Sequence, residues 1–305
     1  LYRHQTLRGL AASAETGPAD LDRDEAPAPF ALIAPADRAL LPAGAVDAFP
    51  MSRLQAGMLF HAELEAGTAI FHDIFSYRIE LPWRDDGWDR ALESLADANP
   101  ALRTSLHWTG FGEALQVVHG RARVPLEVDD LRALDPAERE SRVAAFLAAE
   151  KRTGFDIAAA PLFRVRLHRL EEDVVQVTIS FHHAILDGWS VATFLAEWVQ
   201  RYLHRLGRGV GAVPAAPAGS FRDFVALETR ALADPAIRGY WERTLAGLPI
   251  TALSRGRLPA DAPRPSGRLD RAFPPELKER LREVARTSRL PLKALLLAAH
   301  LRVLA

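Results

Sequence analysis

Two adjacent histidines, His182 and His183, are followed by Asp187 and Gly188, which places two imidazoles and a carboxylate within one short stretch. An imidazole titrates near neutrality and can take up or release a proton at pH 7. A carboxylate nearby can orient it or pair with a cation, and all three groups can ligate a metal. The dyad ends an alternating run, Val174 to Phe181 (V-V-Q-V-T-I-S-F), and precedes an apolar periodic segment from Val191 to Leu203. The run reads as a strand and the segment as a helix, so the dyad sits where a strand gives way to a loop. Successive strand side chains point to opposite faces. One histidine is therefore expected to face a solvent-reachable cavity and the other the packed interior. Three readings compete. Both histidines can be core residues beside a plain Asp-Gly turn. A metal site is disfavoured, because adjacent strand histidines diverge from any single ion. The third reading is proton handling by a single working histidine.

Composition narrows the classes. With a net charge of −1, the 305-residue chain has no basic field to attract nucleic acid or an anionic membrane, and neither is expected as a partner. It has no cysteine, which excludes disulfides, a thiolate nucleophile and a Cys-based zinc site, and fits a reducing, cytoplasmic setting. No apolar run reaches the ~18 residues of a membrane span, and the N-terminus lacks a signal-peptide core. No Gly-rich loop has phosphate-binding spacing, so ATP, NAD and flavin are not implied. Beginning at Leu1, the chain is expected to be a piece of something longer.

The elements that must position the dyad follow from periodicity. Residues 1–14 are expected to be a helix and residues 15–45 a linker, Pro- and acid-rich over Glu15–Pro29. Helices are predicted over Leu54–Leu64, Trp88–Asn99 and Pro136–Thr153, the last with Asp135-Pro136 as its start signal. Strands are predicted over Ile74–Leu81, Leu162–Leu170 and Val174–Phe181, with a hairpin over Arg103–Val118. This interleaving indicates an α/β domain. Gly207–Ser220 reads as a second linker, crossing to another lobe. Helices follow at about Phe221–Leu232, Ala236–Ala246, Pro275–Ser288 and Pro291–Leu304, with a Pro/Gly-rich excursion over Leu258–Gly267. His61, His72, His107 and His119 lack ligand spacing and are expected on surfaces or in packing. Trp189 and Trp198 are expected in the core or a tunnel wall.

The stretch His182-His183-x-x-x-Asp187-Gly188-Trp189-Ser190 resembles the HHxxxDG signature of the condensation domains of nonribosomal peptide synthetases, which share their fold with chloramphenicol acetyltransferase. Further segments resemble the same family. Met51–His61 is similar to its opening Ser-x-x-Gln-x-x-Met motif, and Asn99–Thr104 to its second motif, of which Arg103-Thr104 survives. Pro161–Val165, Phe221–Val225 and Tyr240-Trp241 are similar to flanking segments. Leu1–Ala12 is similar to the last helix of a peptidyl carrier domain.

The resemblance implies a chloramphenicol acetyltransferase-like α/β sandwich lobe over residues 46–212, then the beginning of a second, similar lobe over 213–305, the two forming a V. It implies amide-bond formation between an acyl thioester and an amine, both carried on phosphopantetheine arms, with no cofactor or metal held by the domain itself. Donor and acceptor carrier domains, and an adenylation domain in the same chain, are the implied partners. His183 is then the working histidine, Gly188 a point of close substrate approach and an oxyanion donor, and His182 a structural residue. Asp187 is expected to pair with Arg103, while Ser52, Gln55, Trp189 and Ser190 are candidates to line the substrate tunnel. Carrier-bound dehydration or epimerisation, and a non-catalytic recruitment role, stay open as alternatives. Asp187-Gly188-Trp189-Ser190 departs from the usual epimerisation pattern, and the intact dyad disfavours both heterocyclisation and recruitment.

Overall fold

The computed structural model describes residues 26–64, 69–209, 211–217, 219–248 and 271–304. Two sheets organise the first part of the chain. Strands β1 (Ala45–Pro50), β3 (Thr104–His107) and β4 (Leu115–His119) form an antiparallel sheet in the order β1-β4-β3. Strands β2 (His72–Glu80), β5 (Leu126–Asp130), β6 (Phe163–Arg169) and β7 (Val174–His182) form the other, in the order β2-β7-β6-β5. Within it β5 runs parallel to β6 and the other pairs are antiparallel.

The centre of the larger sheet is β7, and its sequence explains why. Val175, Val177, Ile179 and Phe181 are fully buried on one face, as are Phe163, Val165 and Leu167 of β6 beside them. Helices α3 (Gly87–Ala98) and α5 (Gly188–Arg205) cover that face. Trp88 of α3 stacks on Tyr202 of α5 with ring centroids 3.9 Å apart and meets Trp198 edge-on at 5.1 Å. Two of the three rings also satisfy their polar ends: Trp198 Nε1 donates to the Trp88 carbonyl at 3.1 Å and the Tyr202 hydroxyl to the Pro82 carbonyl at 2.5 Å.

The opposite face of the same strands carries His168, Thr178, Ser180 and His182, polar yet buried. Helix α4 (Pro136–Glu150) lies over it: Phe146 meets His168 edge-on, and Glu150 pairs with Arg164 of β6 at 2.5 Å. The predicted start of α4 is a capping box, with Asp135 accepting from the Glu138 N–H and Glu138 accepting from the Asp135 N–H. The larger sheet is thus sandwiched between an apolar helical layer and a polar one, a mixed α/β arrangement as expected.

Three expectations are corrected. Residues 26–45 are no free linker: α1 (Pro35–Leu40) lies there, buried Asp37 accepts from the Gly112 N–H, and the Phe30 N–H donates to Asp47. Strands β1 and β5 escape the periodicity reading, because A-V-D-A-F-P and L-E-V-D-D carry a carboxylate where a strand signal wants an apolar side chain. Finally, the Gly207–Ser220 stretch does not leave the first unit. Its carbonyls at Ala212 and Pro214 accept from Gln200 and Arg201 of α5, and the next helix, α6 (Phe221–Ala233), packs back onto the small sheet. Val225 is buried against Phe49 and Val118, and Arg222 forms an ion pair with Asp47. The chain divides instead into compact units Leu1–Arg238 and Gly239–Ala305. Helix α7 (Pro235–Leu245) spans that boundary, and the second unit holds α8 (Pro275–Thr287) and α9 (Leu292–Leu304). Residues 1–14 and the Leu258–Gly267 excursion lie outside the described residues.

Trp198 and Trp189 belong to the same helix but differ in what they hold. Trp198→Ala removes a fully buried ring and is expected to lower unfolding free energy by about 3–5 kcal/mol. Trp189 is 85% exposed, and Trp189→Ala should change stability by no more than about 0.5 kcal/mol. Urea unfolding of the two variants checks this; equal losses would refute the layer assignment.

Candidate active site

The dyad lies at the end of β7, where alternation separates its two members. His182 is buried on the polar face, its backbone N–H donating to the Leu162 carbonyl at 3.0 Å and its Nδ1 accepting from the Ala184 N–H at 3.2 Å. Burial, with repulsion from His72 and His183 behind it, pushes its imidazole down to about 4. It is therefore neutral at pH 7 and fixed in place. His183 is half-buried and lies on the other side, on the wall of a cavity of about 660 Å³. Its backbone N–H donates to the Phe71 carbonyl at 2.8 Å. Its Nδ1 stands 2.7 Å from Asp73 Oδ2, a close approach that is not in line with the ring N–H direction.

The cavity is walled by helix ends and by the dyad loop. Helix α2 (Arg53–Leu64) begins at Ser52, which is buried: Ser52 Oγ accepts from the Gln55 N–H, and Gln55 Oε1 accepts from the Ser52 N–H. The Ser-x-x-Gln of the opening motif is thus a capping box. Gln55 Nε2 also donates to the Ala184 carbonyl at 3.0 Å and to Gln116 Oε1 at 3.3 Å, tying α2 to the loop after the dyad. Ser52, Gln55, Trp189 and Ser190 all line the cavity, as do Phe221 and Phe224 of α6. Gly188 is the first residue of α5; a Cβ built there would meet nothing within 4 Å, so packing alone does not demand glycine.

The expected ion pair between Asp187 and Arg103 is corrected. Asp187 is the N-cap of α5, accepting from the Ser190 N–H at 2.8 Å and from Ser190 Oγ at 2.6 Å. Those hydrogen bonds hold its carboxyl below the usual range. Arg103, buried, donates Nε to the Ala96 carbonyl at 2.9 Å, with further bonds to the carbonyls of His119 and Asp97. Ala96 and Asp97 lie in the last turn of α3, where free carbonyls attract a cation. Each group has local partners of its own, and no ion pair joins the two among the described residues.

Sequence reasoning missed Asp73, Gln116 and His72. Gln116 shows a signal in hindsight, a polar residue at a buried position of an apolar strand. His72, expected on a surface or in generic packing, is buried beside the dyad. Its Nε2 meets Ser180 Oγ and lies 3.7 Å from Glu150, and burial is the main cause that pushes its imidazole down. No local signal marks this role, since His72 pairs with His182 only across the strand register. Among the described residues, no group of three or more His, Asp or Glu side chains is placed to hold a metal ion, and no helix is long and apolar enough to cross a membrane.

Two outcomes follow from this geometry. Arg103→Ala strands buried carbonyls and should cost about 1–3 kcal/mol, whereas Asp187→Ala loses a helix cap worth about 1 kcal/mol. Measured by urea unfolding, the double variant should equal the sum within about 0.5 kcal/mol; a larger coupling would restore the ion pair. His182, with a folded value of about 4 against about 6.5 in the unfolded chain, gives an acid-sensitive term. From about pH 6.5 down to 4 the unfolded chain binds a proton that the folded chain refuses, so stability falls with pH. His182→Asn should flatten the pH 7-to-4 loss by on the order of 3 kcal/mol, and an unchanged slope would refute the neutral, buried assignment.

Comparison with known proteins places this geometry in a family. The Condensation domain family matches residues 46–305. The AMB antimetabolite synthetase AmbE of Pseudomonas aeruginosa is 35% identical over 311 aligned positions, covering 100% of this chain and 14% of that protein. The phosphinothricin tripeptide synthetase PhsC of Streptomyces viridochromogenes is 31% identical over 78% of this chain and 22% of that protein. The chain therefore spans a small part of the length of these relatives. Among solved structures, the condensation domain from Monacolin K polyketide synthase MokA superposes with a TM-score of 0.66 at 19% identity, covering 86% of this chain and 60% of that one. The chain belongs to the condensation-domain family, has the chloramphenicol acetyltransferase-like α/β fold, and is a condensation domain of the nonribosomal peptide synthetase kind.

Proposed function

We propose that this domain joins an acyl or peptidyl thioester to the amine of an aminoacyl thioester, both delivered on phosphopantetheine arms. Condensation domains of nonribosomal peptide synthetases are amide-forming acyltransferases in general. The observation that carries the reading here is His183 on the wall of a roomy cavity while its neighbour is buried and neutral. The amine nitrogen attacks the thioester carbonyl, the C–N bond forms and the C–S bond breaks. The nitrogen sheds a proton to His183, which passes it to the departing thiolate. An amine is mostly protonated at pH 7, so attack needs its neutral form and a site to receive the second proton. Gly188, bare of a side chain beside open space, leaves room for a substrate to approach the first-turn amides of α5, where developing negative charge is favoured.

The partners implied by this chemistry are an upstream donor carrier, a downstream acceptor carrier and an adenylation domain that loads them. The mostly apolar residues around His183, Phe221 and Phe224 among them, suit an acyl chain. A cavity of this size falls in the range of ligand sites.

His183→Ala should lower dipeptide formation on the acceptor carrier by about 10²–10⁴-fold with an unchanged melting temperature. Intact-protein mass spectrometry of loaded carriers reads the product. Dipeptide from the wild-type domain supports the reading. Loss of one water from a single carrier would replace it with residue modification, and no transfer would replace it with recruitment.

A further inference from the structure

The carboxylate beside the working histidine comes from a strand that no motif marks. β2 pairs with β7 so that Asp73 is opposite Phe181. Residues opposite each other project to the same face, and His183, two positions beyond Phe181, projects to that face as well. The register therefore makes Asp73 the diagonal neighbour of His183. The same end of β2 also holds the histidine's backbone, through the Phe71 carbonyl. One contact to the backbone and one to the ring, from Phe71 and Asp73, thus reach the same histidine.

We propose that Asp73 is a positioning residue for His183, holding the ring with its proton on Nδ1 so that Nε2 is the bare nitrogen. The inference rests on the amide-forming reading for its catalytic meaning, but not for its structural content. A carboxylate oxygen 2.7 Å from Nδ1 attracts a protonated nitrogen even off the N–H axis, whereas an unprotonated one would set two electron-rich atoms against each other. The contact therefore favours the proton on Nδ1 by charge, without a linear hydrogen bond. With Nδ1 occupied, only Nε2 can accept the proton that the attacking amine sheds. The carboxylate then offsets the positive charge that appears on the ring.

Other ionisable groups nearby do not substitute for it. His182 and Asp187 flank His183 on its own loop, but His182 is turned to the polar face and Asp187 is committed to Ser190. On β2, His72 is engaged with Ser180 and Glu150; from the end of α4, Lys151 donates to the His72 carbonyl. Glu150 itself is paired with Arg164. Asp73 alone stands at ion-pair distance from the working ring among the described residues.

The test uses the chain labelled with ¹⁵N-histidine and long-range ¹H–¹⁵N correlation at neutral pH, assigned with His183→Ala. Wild type should show His183 protonated at Nδ1 and bare at Nε2. Asp73→Ala should shift it to a mixture of tautomers, and Asp73→Asn, which keeps an acceptor without the charge, should retain most of the wild-type signature. In parallel, with loaded carriers, Asp73→Ala should lower the single-turnover rate by about 10–100-fold with KM for either carrier unchanged, and Asp73→Asn should recover part of that loss. An Nε2-protonated ring in wild type, an unchanged tautomer in Asp73→Ala, or a change in KM alone would overturn the proposal. Should Asp73→Ala fail to fold, the wild-type signature and the Asp73→Asn rate decide it. If His183→Ala keeps full activity while the tautomer follows Asp73, the functional reading fails and the positioning does not.

Discussion

Strand β7 is hydrogen-bonded along both edges, to β2 over its whole length and to β6 over most of it. A strand so paired, with both faces covered, cannot slip by one residue without turning seven buried side chains to the wrong layer. That constraint decides the site. Its last residue is His182, with His183 next in the chain, and a slip would exchange the neutral buried imidazole with the one on the cavity wall. The apolar side, Val175 to Phe181 against α3 and α5, supplies much of the burial free energy that holds the register. The polar side contributes specificity, since the bonds among Ser76, Thr178, Ser180 and His72 form only in one alignment.

The polar layer under α4 is an unusual place for charge. Glu150, Arg164 and His72 stand together there, with Phe155 covering the Arg164 guanidinium. Buried ion pairs of this kind add little net stability, but losing one member strands the other. Here the cluster meets the strand end that carries the dyad, so its geometry bears directly on where His182 sits. Burial lowers the imidazoles of both His182 and His72, which disfavours the pair of neighbouring imidazolium ions that would repel one another.

The cavity exists because α5 starts only at Gly188. The loop from His183 to Asp187 bridges strand and helix without filling the space beyond Phe181, and the capping boxes of α2 and α6 place Ser52, Gln55 and Phe221 around it. The ends of several elements therefore converge on one histidine. Asp187, capping α5, keeps the far end of the loop in place, while Gln55 bonded to the Ala184 carbonyl keeps the near end. In this geometry the aspartate of the motif holds the aim of His183 through the helix start rather than through a distant arginine.

Local chemistry made much of this legible. The period-2 run before the dyad, the 3.6-period segment after it, the Asp135-Pro136 start of α4 and the opposite facing of His182 and His183 follow from covalent geometry and the spacing of apolar residues, and all need only neighbours along the chain. Helix bounds fell within a few residues for the same reason. Side-chain partnerships across elements were not legible. Arg103 could have met any carboxylate, and only the packing of α3 beside β4 brings backbone carbonyls to its guanidinium first. The return of α6 to the small sheet depends on Val225 and Arg222 finding Phe49 and Asp47, contacts separated by some 175 residues. Asp73 is the clearest instance: nothing in F-H-D-I marks it, and it reaches His183 because β2 pairs with β7 in one register. Spacing along the chain settles which residues alternate, where the strand ends and that the two imidazoles face opposite ways. The tertiary structure decided which carboxylate the outward imidazole meets, because strand register is a long-range choice set by the burial of both faces at once.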